Sequence, residues 1–355
     1  MLSEEYGLHR VVRPEGVLPQ QAEQLDPSLP LHSSELLIDV EALNIDAASF
    51  RQIWHESSRD VRRAGEIVAA IVQRRGKMHN PVTGSGGILM GRVSQVGAFH
   101  PGRSHLLPGE RIASLVSLSL TPLRLEEILA VHPAAERVDV RGQAILFASA
   151  AYAKLPGDLP DEVALAVLDV CGAPAQVARY VKRGMRIAVL GAGKAGTLCL
   201  AQARRSLGET GLLIAVDVSA AALEPLLAMG FCDAAIELDA TRPVELMRRI
   251  ADATGGELCD LVVNCASSTG TEMSTVVSVK AGGTALFFSM ATSFTAATLG
   301  AEGLAKDVVL LMGNGYVPGH ADLALNLLRA DEALLRLFQA RCFGPDRPLP
   351  AGARS

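Results

Sequence analysis

The chain has 355 residues, 38 acidic and 33 basic side chains, a formal net charge of -5 and a hydrophobic share of 49%. That length can bury two substantial cores, the charge leaves no basic footprint for a phosphate backbone, and no apolar run reaches the roughly 18 to 20 residues of a membrane-spanning helix. Nucleic acid and membrane are therefore not expected as partners, and the start MLSEEYGLHRVV, which lacks the pattern of a secretory signal, makes a cytoplasmic location the expectation.

In chain order, ELLIDV at 35–40, ILMGRVSQVG at 88–97 and ERIASLV at 110–116 read as short strands separated by Gly and Pro turns. The spacing of Val61, Ile67, Val68, Ile71 and Val72 predicts a helix between Asp60 and Arg75, ending near Gly76. Residues 1–165 thus form an irregular, mainly β domain. After Pro160 a helix opens at Asp161 and another apolar run reaches Lys182. From there strands at 186–190, 212–216, 234–238, 260–265, 284–290 and 308–313 alternate with helices at 197–206, 220–229 and 243–253. Near-continuous apolar strands alternating with helices predict a parallel sheet covered on both faces, a doubly wound α/β domain over 166–316. Between His320 and Arg341, Leu323, Leu325, Leu327, Leu328, Leu334, Leu335, Leu337 and Phe338 mark one or two amphipathic helices, with residues 317–355 expected to pack back on the first domain. The end, GPDRPLPAGARS, reads as a frayed tail. Cys171, Cys199, Cys232, Cys259, Cys265 and Cys342 show no CxxC spacing and are expected as reduced, mostly buried thiols.

GAGKAG, Gly191, Ala192, Gly193, Lys194, Ala195 and Gly196, matches the GxGxxG fingerprint. Six residues of that kind are weak alone, but here an apolar strand precedes them, a helix follows, and Asp217 closes the next strand. Gly191 permits the tight turn, Gly193 lets the backbone approach a diphosphate, Gly196 lets helix and strand close up, and the helix start attracts the anion. Asp217 can accept from the adenosine ribose hydroxyls and repels a 2'-phosphate, so the expected cofactor is NAD rather than NADP. The plain alternative is a structural glycine turn. Ligands bind beyond the carboxyl ends of parallel strands, which adds Cys265, Ala266, Ser289, Met290 and Asn314 as candidate lining for ribose and nicotinamide.

A β-rich region before such a unit resembles the medium-chain dehydrogenase/reductase superfamily. VEALNIDAASF at 40–50, GILMGRVSQVG at 87–97 and PGERIASL at 108–115 are similar to its VxAxGICxSD, GHExxGxVxxVG and PGDRVxxx segments. The resemblance implies an α/β architecture with a β-rich, GroES-like catalytic domain before a Rossmann domain. It also implies that zinc is absent: Gly87, Ile88 and Asp46 stand where the zinc branch has histidine, glutamate and cysteine, and no cysteine precedes Cys171. Within the superfamily, GKMHNPVTGSGG at 76–87, LVSLSLTPL at 115–123, LDVCGAPAQ at 168–176 and FFSMATSFTAATLGAEGLAKDV at 287–308 resemble the 3,5-diaminohexanoate dehydrogenases. That family's activity, in lysine fermentation, is oxidative deamination of L-erythro-3,5-diaminohexanoate to 5-amino-3-oxohexanoate, with NAD as acceptor and ammonia released.

The resemblance implies site residues in the first domain. Oxidising an amine requires its neutral form, so a base must take a proton from the ammonium. Lys77, aligned through Gly86 with a pocket-lining position, is one candidate if its pKa is lowered; His79 is the competitor; a solvated lysine is the alternative. Asp46, in the place of a zinc ligand, is expected to hold an ammonium group, and Asp169 or Glu302 to hold the second, although all three can be helix-end or surface charges. Ser117, Ser119 and Thr121 are candidates for the substrate carboxylate, or simply alternate along a half-buried strand. A zinc-free enone or quinone reductase using NADPH and a non-catalytic dinucleotide sensor are the rival readings. The strand at 308–316 resembles an edge that pairs across a two-fold axis, implying a homodimer or a dimer of dimers.

Overall fold

Two stretches of the chain build separate hydrophobic cores: residues up to Asp169 with the chain from Gln339, and Val170–Phe338. The computed structural model describes residues 5–208 and 210–343. In the first unit the strands are β1 (Val11–Arg13), β2 (Gln24–Leu25), β3 (Leu36–Asn44), β4 (Ile88–Val96), β5 (Arg111–Ser114), β6 (Leu123–His132), β7 (Arg137–Leu146) and β8 (Tyr152–Lys154). β1 and β2 pair with each other; the other six form an antiparallel sheet in the order β6-β7-β3-β4-β5-β8. Between β3 and β4 lie α1 (Ala47–Glu56) and α2 (Val61–Arg75), and α3 (Asp161–Leu168) closes the unit. α2 starts where the Asp60 carboxylate accepts the Arg63 N–H at 2.8 Å and stops at Gly76, whose φ of 62° is the left-handed conformation that ends helices. Its Ala64, Val68, Ile71 and Val72 join Ile38, Val40, Leu89 and Val140 in one core. The segment before β3 is pinned by a buried ion pair, Arg10 Nε and Nη2 donating to Glu35 Oε1 and Oε2 at 2.8 and 2.7 Å. Breaking such a pair costs about 3–5 kcal/mol, because the survivor stays charged and unpaired.

The second unit alternates: α4 (Gly172–Tyr180), β9 (Arg186–Leu190), α5 (Lys194–Leu207), β10 (Leu212–Asp217), α6 (Ala220–Ala228), β11 (Ala234–Glu237), α7 (Pro243–Thr254), β12 (Cys259–Asn264), α8 (Glu272–Ser278), β13 (Val279–Phe287), α9 (Phe294–Gly303), β14 (Val308–Met312) and α10 (His320–Ala330). Its six strands are parallel in the order β11-β10-β9-β12-β13-β14. The order reverses between β9 and β12, and beyond the carboxyl ends of these two strands lies the crevice where such sheets bind ligands. Leu190, Val216, Val262 and Phe287 are buried on this sheet, so the central strands read as unbroken apolar runs. β14 is an edge strand with Val309 and Met312 exposed.

The C-terminal region departs from expectation. α10 packs on α4 and α5 inside the second unit, with Ala321, Ala324, Leu325 and Leu328 buried, and only the chain from Gln339, within α11 (Glu332–Phe343), belongs to the first. The amphipathic stripe was legible, but a stripe does not name the surface it covers. The stretch expected to fray, 344–355, lies outside the described residues. No described helix is long and apolar enough to cross a membrane.

Candidate functional site

The turn after β9 shows why its glycines are glycines. A Cβ at Gly196 would sit 1.7 Å from the Gly191 carbonyl oxygen, and Gly191, at φ 90°, lies against the Ala266 backbone. Gly193 is different: no atom comes within 4 Å of where its Cβ would be, so the missing side chain leaves open space above the turn. The same residue starts α5 without a side-chain cap, and the positive end of a helix dipole faces that space. An anionic diphosphate fits there. Asp217, last in β10, accepts the Ala192 N–H on Oδ2 at 2.7 Å and the Ser219 N–H on Oδ1 at 2.9 Å. A carboxylate has about four acceptor positions, so each oxygen keeps one for a ribose hydroxyl.

Beside the turn, the Cys265 N–H donates to Leu190 O at 2.8 Å and the Ala266 N–H to Asn264 Oδ1 at 3.1 Å. Asn264 was not singled out from the sequence. Wholly buried, it donates through Nδ2 to Thr271 Oγ1 and Thr275 Oγ1, and its carbonyl accepts from Phe288 and Ser289 N–H, tying the ends of β12 and β13 together. The available signal was a polar residue ending the apolar run DLVVN. Ser289 Oγ accepts the Ala291 N–H, the Met290 side chain is exposed, and Asn314 Oδ1 accepts from Gln176 Nε2 at 3.3 Å and from the Tyr316 N–H at 3.2 Å. Lys194 and Ala195 open α5.

In the first unit the sequence candidates separate by what their polar atoms already do. Lys77 is wholly buried, and its Nζ donates to Pro19 O at 2.7 Å and Gln20 O at 3.2 Å. It is a strut holding the β1–β2 connection, with its protons directed at main-chain oxygens. Burial, with repulsion from Arg75, pulls its ammonium from the ordinary 10.5 down to about 8. The sign follows: between about 8 and 10.5 the unfolded chain holds a proton the folded one has released, so folding stability rises with pH across that window. Wild-type stability measured against Lys77→Met in denaturant titrations should rise by up to about 3 kcal/mol over it; a flat difference would remove the strained ammonium.

Asp46 and His79 each carry a polar atom that is buried with no partner, Asp46 Oδ2 and His79 Nδ1. Asp46 caps α1, its Oδ1 accepting the Ser49 N–H at 3.0 Å. The two segments are tied by Ser49 Oγ to Thr83 Oγ1 at 2.6 Å and by Asn80 Nδ2 donating to Ser49 O and Gln52 Oε1. Burial first, then repulsion from Lys77 and Arg75, pulls His79 down to about 4, so its imidazole is neutral at physiological pH. Buried polar atoms are usually satisfied. These are two of nine described side-chain atoms buried without a partner, Asn44 Nδ2, Arg75 Nε and His100 Nε2 among the others, and they are the two that belong to residues singled out from the sequence.

The hydroxyls differ from expectation. Leu118–Leu120 is a short 3₁₀ turn capped by Ser117, not a strand, so the three side chains do not alternate across a sheet face. Ser117 and Ser119 share a 2.6 Å bond, Ser119 donates to Gln20 Oε1 at 2.7 Å, and Thr121 donates to Ser117 O at 3.1 Å. Ser119 and Thr121 are buried; Gln20, missed in the sequence, is exposed and joins this cluster because Lys77 holds its backbone. Asp169 caps the end of α3 in the first unit, and Glu302 is exposed on α9 in the second. Gly87 has φ 88°, and a Cβ there would lie 2.0 Å from Asn44 O and 2.7 Å from Asp46 N, so this backbone admits no histidine at that position. Among the described residues no group of three or more His, Cys, Asp or Glu could hold a metal ion.

Comparison with known proteins places these features in context. The profile of the L-erythro-3,5-diaminohexanoate dehydrogenase N-terminal domain matches residues 9–156. A protein of Acetoanaerobium sticklandii named L-erythro-3,5-diaminohexanoate dehydrogenase is 46% identical over 335 residues, covering 94% of this chain and 97% of that one. One of the same name from Fusobacterium nucleatum is 46% identical over 334 residues, with 94% and 97% covered. Among solved structures, a mycobacterial protein complexed with NADPH aligns at a TM-score of 0.54 and 18% identity, covering 94% and 96% of the two chains. An alcohol dehydrogenase of Thermotoga maritima aligns at 0.54 and 16% identity, covering 87% and 85%. These structures share the fold, an antiparallel GroES-like domain with a Rossmann domain.

Proposed function

This chain belongs to the family of L-erythro-3,5-diaminohexanoate dehydrogenases, and from that premise we propose that it oxidatively deaminates L-erythro-3,5-diaminohexanoate to 5-amino-3-oxohexanoate and ammonia with NAD as acceptor, as a step of lysine fermentation. The bound nicotinamide supplies the hydride acceptor. The residues to hold it are the turn Gly191 to Gly196, the start of α5 for the diphosphate and Asp217 for the adenosine ribose, with Cys265, Ala266, Ser289, Met290 and Asn314 beside them. The six cysteines form no disulfide, which fits a reducing compartment, and we place the enzyme in the cytoplasm.

The amine assignment is carried by one observation: Asp46 Oδ2 is a buried carboxylate oxygen without a partner, with the unpartnered ring nitrogen His79 Nδ1 as a second open polar atom. An ammonium brings protons to such atoms; a carbonyl or quinone oxygen does not. Asp46 holds one ammonium of the substrate by charge and hydrogen bond. Neutral His79, in the tautomer protonated on Nε2, accepts a hydrogen bond from the amine to be oxidised and orients it. With its own pKa at about 4 it does not keep the ammonium proton, which passes to solvent at alkaline pH, since only the neutral amine can release hydride. Lys77, whose protons are committed to Pro19 and Gln20, positions Gln20 and Ser119 rather than acting as the base. Asp169 or Glu302 is left to meet the second ammonium, and Ser117 the carboxylate. The exposed apolar edge of β14 is where we expect a second copy to pair; a measured mass of one chain would remove that expectation.

The test is spectrophotometric: purified protein, NAD and L-erythro-3,5-diaminohexanoate at alkaline pH should form NADH, and lysine in its place should not. No NADH from the diamino acid, with NADPH consumed by a quinone, would establish the rival reductase. No turnover but tight coenzyme binding would establish a sensor.

A further inference from the structure

None of the six cysteines is in a disulfide, and two of them meet: Cys199 Sγ on α5 and Cys265 Sγ after β12 lie 3.8 Å apart although 66 residues separate them in sequence. They differ in access, Cys199 being wholly buried and Cys265 partly exposed. They also flank the glycine turn. Cys199 is on the helix that the turn begins, while the Cys265 N–H is bonded to Leu190 O, and the Cys265 carbonyl carbon and Ala266 backbone stand about 3 Å from where a Gly191 Cβ would be.

We propose that Cys199 and Cys265 are a redox modification site, a dithiol that a hydroperoxide converts to a disulfide, and that the bond, once formed, deforms the Gly191 turn so that it no longer holds a dinucleotide. The chemistry is a two-electron oxidation. The Cys265 sulfur, the accessible one, attacks the peroxide O–O bond and becomes a sulfenic acid, releasing an alcohol or water. The Cys199 sulfur then attacks the sulfenic sulfur, forming the S–S bond and expelling water. Two thiols and one hydroperoxide thus give one disulfide, one water and one alcohol or second water.

The direction of movement follows from packing. An S–S bond is about 2.05 Å long, so the sulfurs must close by roughly 1.8 Å. Cys199 is fixed in the buried face of α5 between Leu198 and Leu200, all three wholly buried, whereas Cys265 begins the loop between β12 and α8. Cys265 therefore moves, and its backbone is in contact with Gly191. Burial and the neighbouring Cys265 also hold Cys199 well above the ordinary thiol range, protonated and unreactive toward peroxide, which orders the two steps as written.

The disulfide itself is independent of any function assigned to the chain; its effect on coenzyme rests on the reading of the Gly191 turn as the dinucleotide site. Both can be followed on the intact protein treated with hydrogen peroxide. The expected result is a Cys199–Cys265 cross-linked peptide in a non-reducing digest, dimedone labelling at Cys265 and not at Cys199, and a loss of NAD binding of at least about tenfold that dithiothreitol reverses. Cys199→Ala should bind NAD as the wild type does and lose the reversible component. A digest without the cross-link overturns the site, and a cross-link that leaves NAD binding intact overturns its consequence. If the reduced protein binds neither coenzyme, the dinucleotide reading fails, and the digest still decides whether the disulfide forms.

Discussion

Asp217→Ser should lower kcat/KM for NAD about 100-fold and raise it for NADP, so that the coenzyme preference moves by about 1000-fold. The first figure is the loss of charge-assisted hydrogen bonds to ribose hydroxyls, worth about 1.5–3 kcal/mol each. The second adds relief of repulsion between a carboxylate and a 2'-phosphate. Serine retains a hydroxyl that can accept the Ala192 or Ser219 N–H now held by the carboxylate, so the turn is not left wholly without its anchor. Asp217→Asn separates the two effects, keeping an acceptor while removing the charge. Coenzyme constants for all three proteins decide the matter: a preference that stays put in both variants would mean that this carboxylate only braces the turn.

What the sequence could and could not reveal follows from the kind of strand and the range of the contact. β9, α5 and β10 were legible to within a few residues because central parallel strands are buried on both faces and read as unbroken apolar runs. β6 and β7 were not. Their pairing shifts register between Leu125 and Glu127 and again between Ile128 and Ala130, and each shift breaks the period of two that marks a half-buried strand. The glycine turn was legible because its requirements are local. Lys77 was not, because its burial is made by carbonyls 57 and 58 residues earlier in the chain. The same holds for Ser119, whose partner Gln20 lies 99 residues away. Sequence spacing could name candidate segments but could not tell a proton donor already committed to the backbone from an atom left open.

That distinction gives Asp46→Asn its value as a test. Asparagine is as good an N-cap as aspartate, so Oδ1 can still accept the Ser49 N–H, and stability should stay within about 0.5 kcal/mol of wild type. Only the charge on the buried, unpartnered Oδ2 is lost. If that oxygen holds a substrate ammonium, the variant leaves a desolvated cation opposite a neutral amide, a situation that costs about 3–5 kcal/mol. Turnover of the diamino acid should then fall in kcat/KM by at least about 100-fold while the dissociation constant for coenzyme is unchanged. Asp46→Ala is the complement, losing the cap as well, about 1 kcal/mol of stability with the same loss of activity. Near-normal kcat/KM in the asparagine variant would show that Asp46 serves the start of α1 and nothing else, and the ammonium would have to be held by another carboxylate.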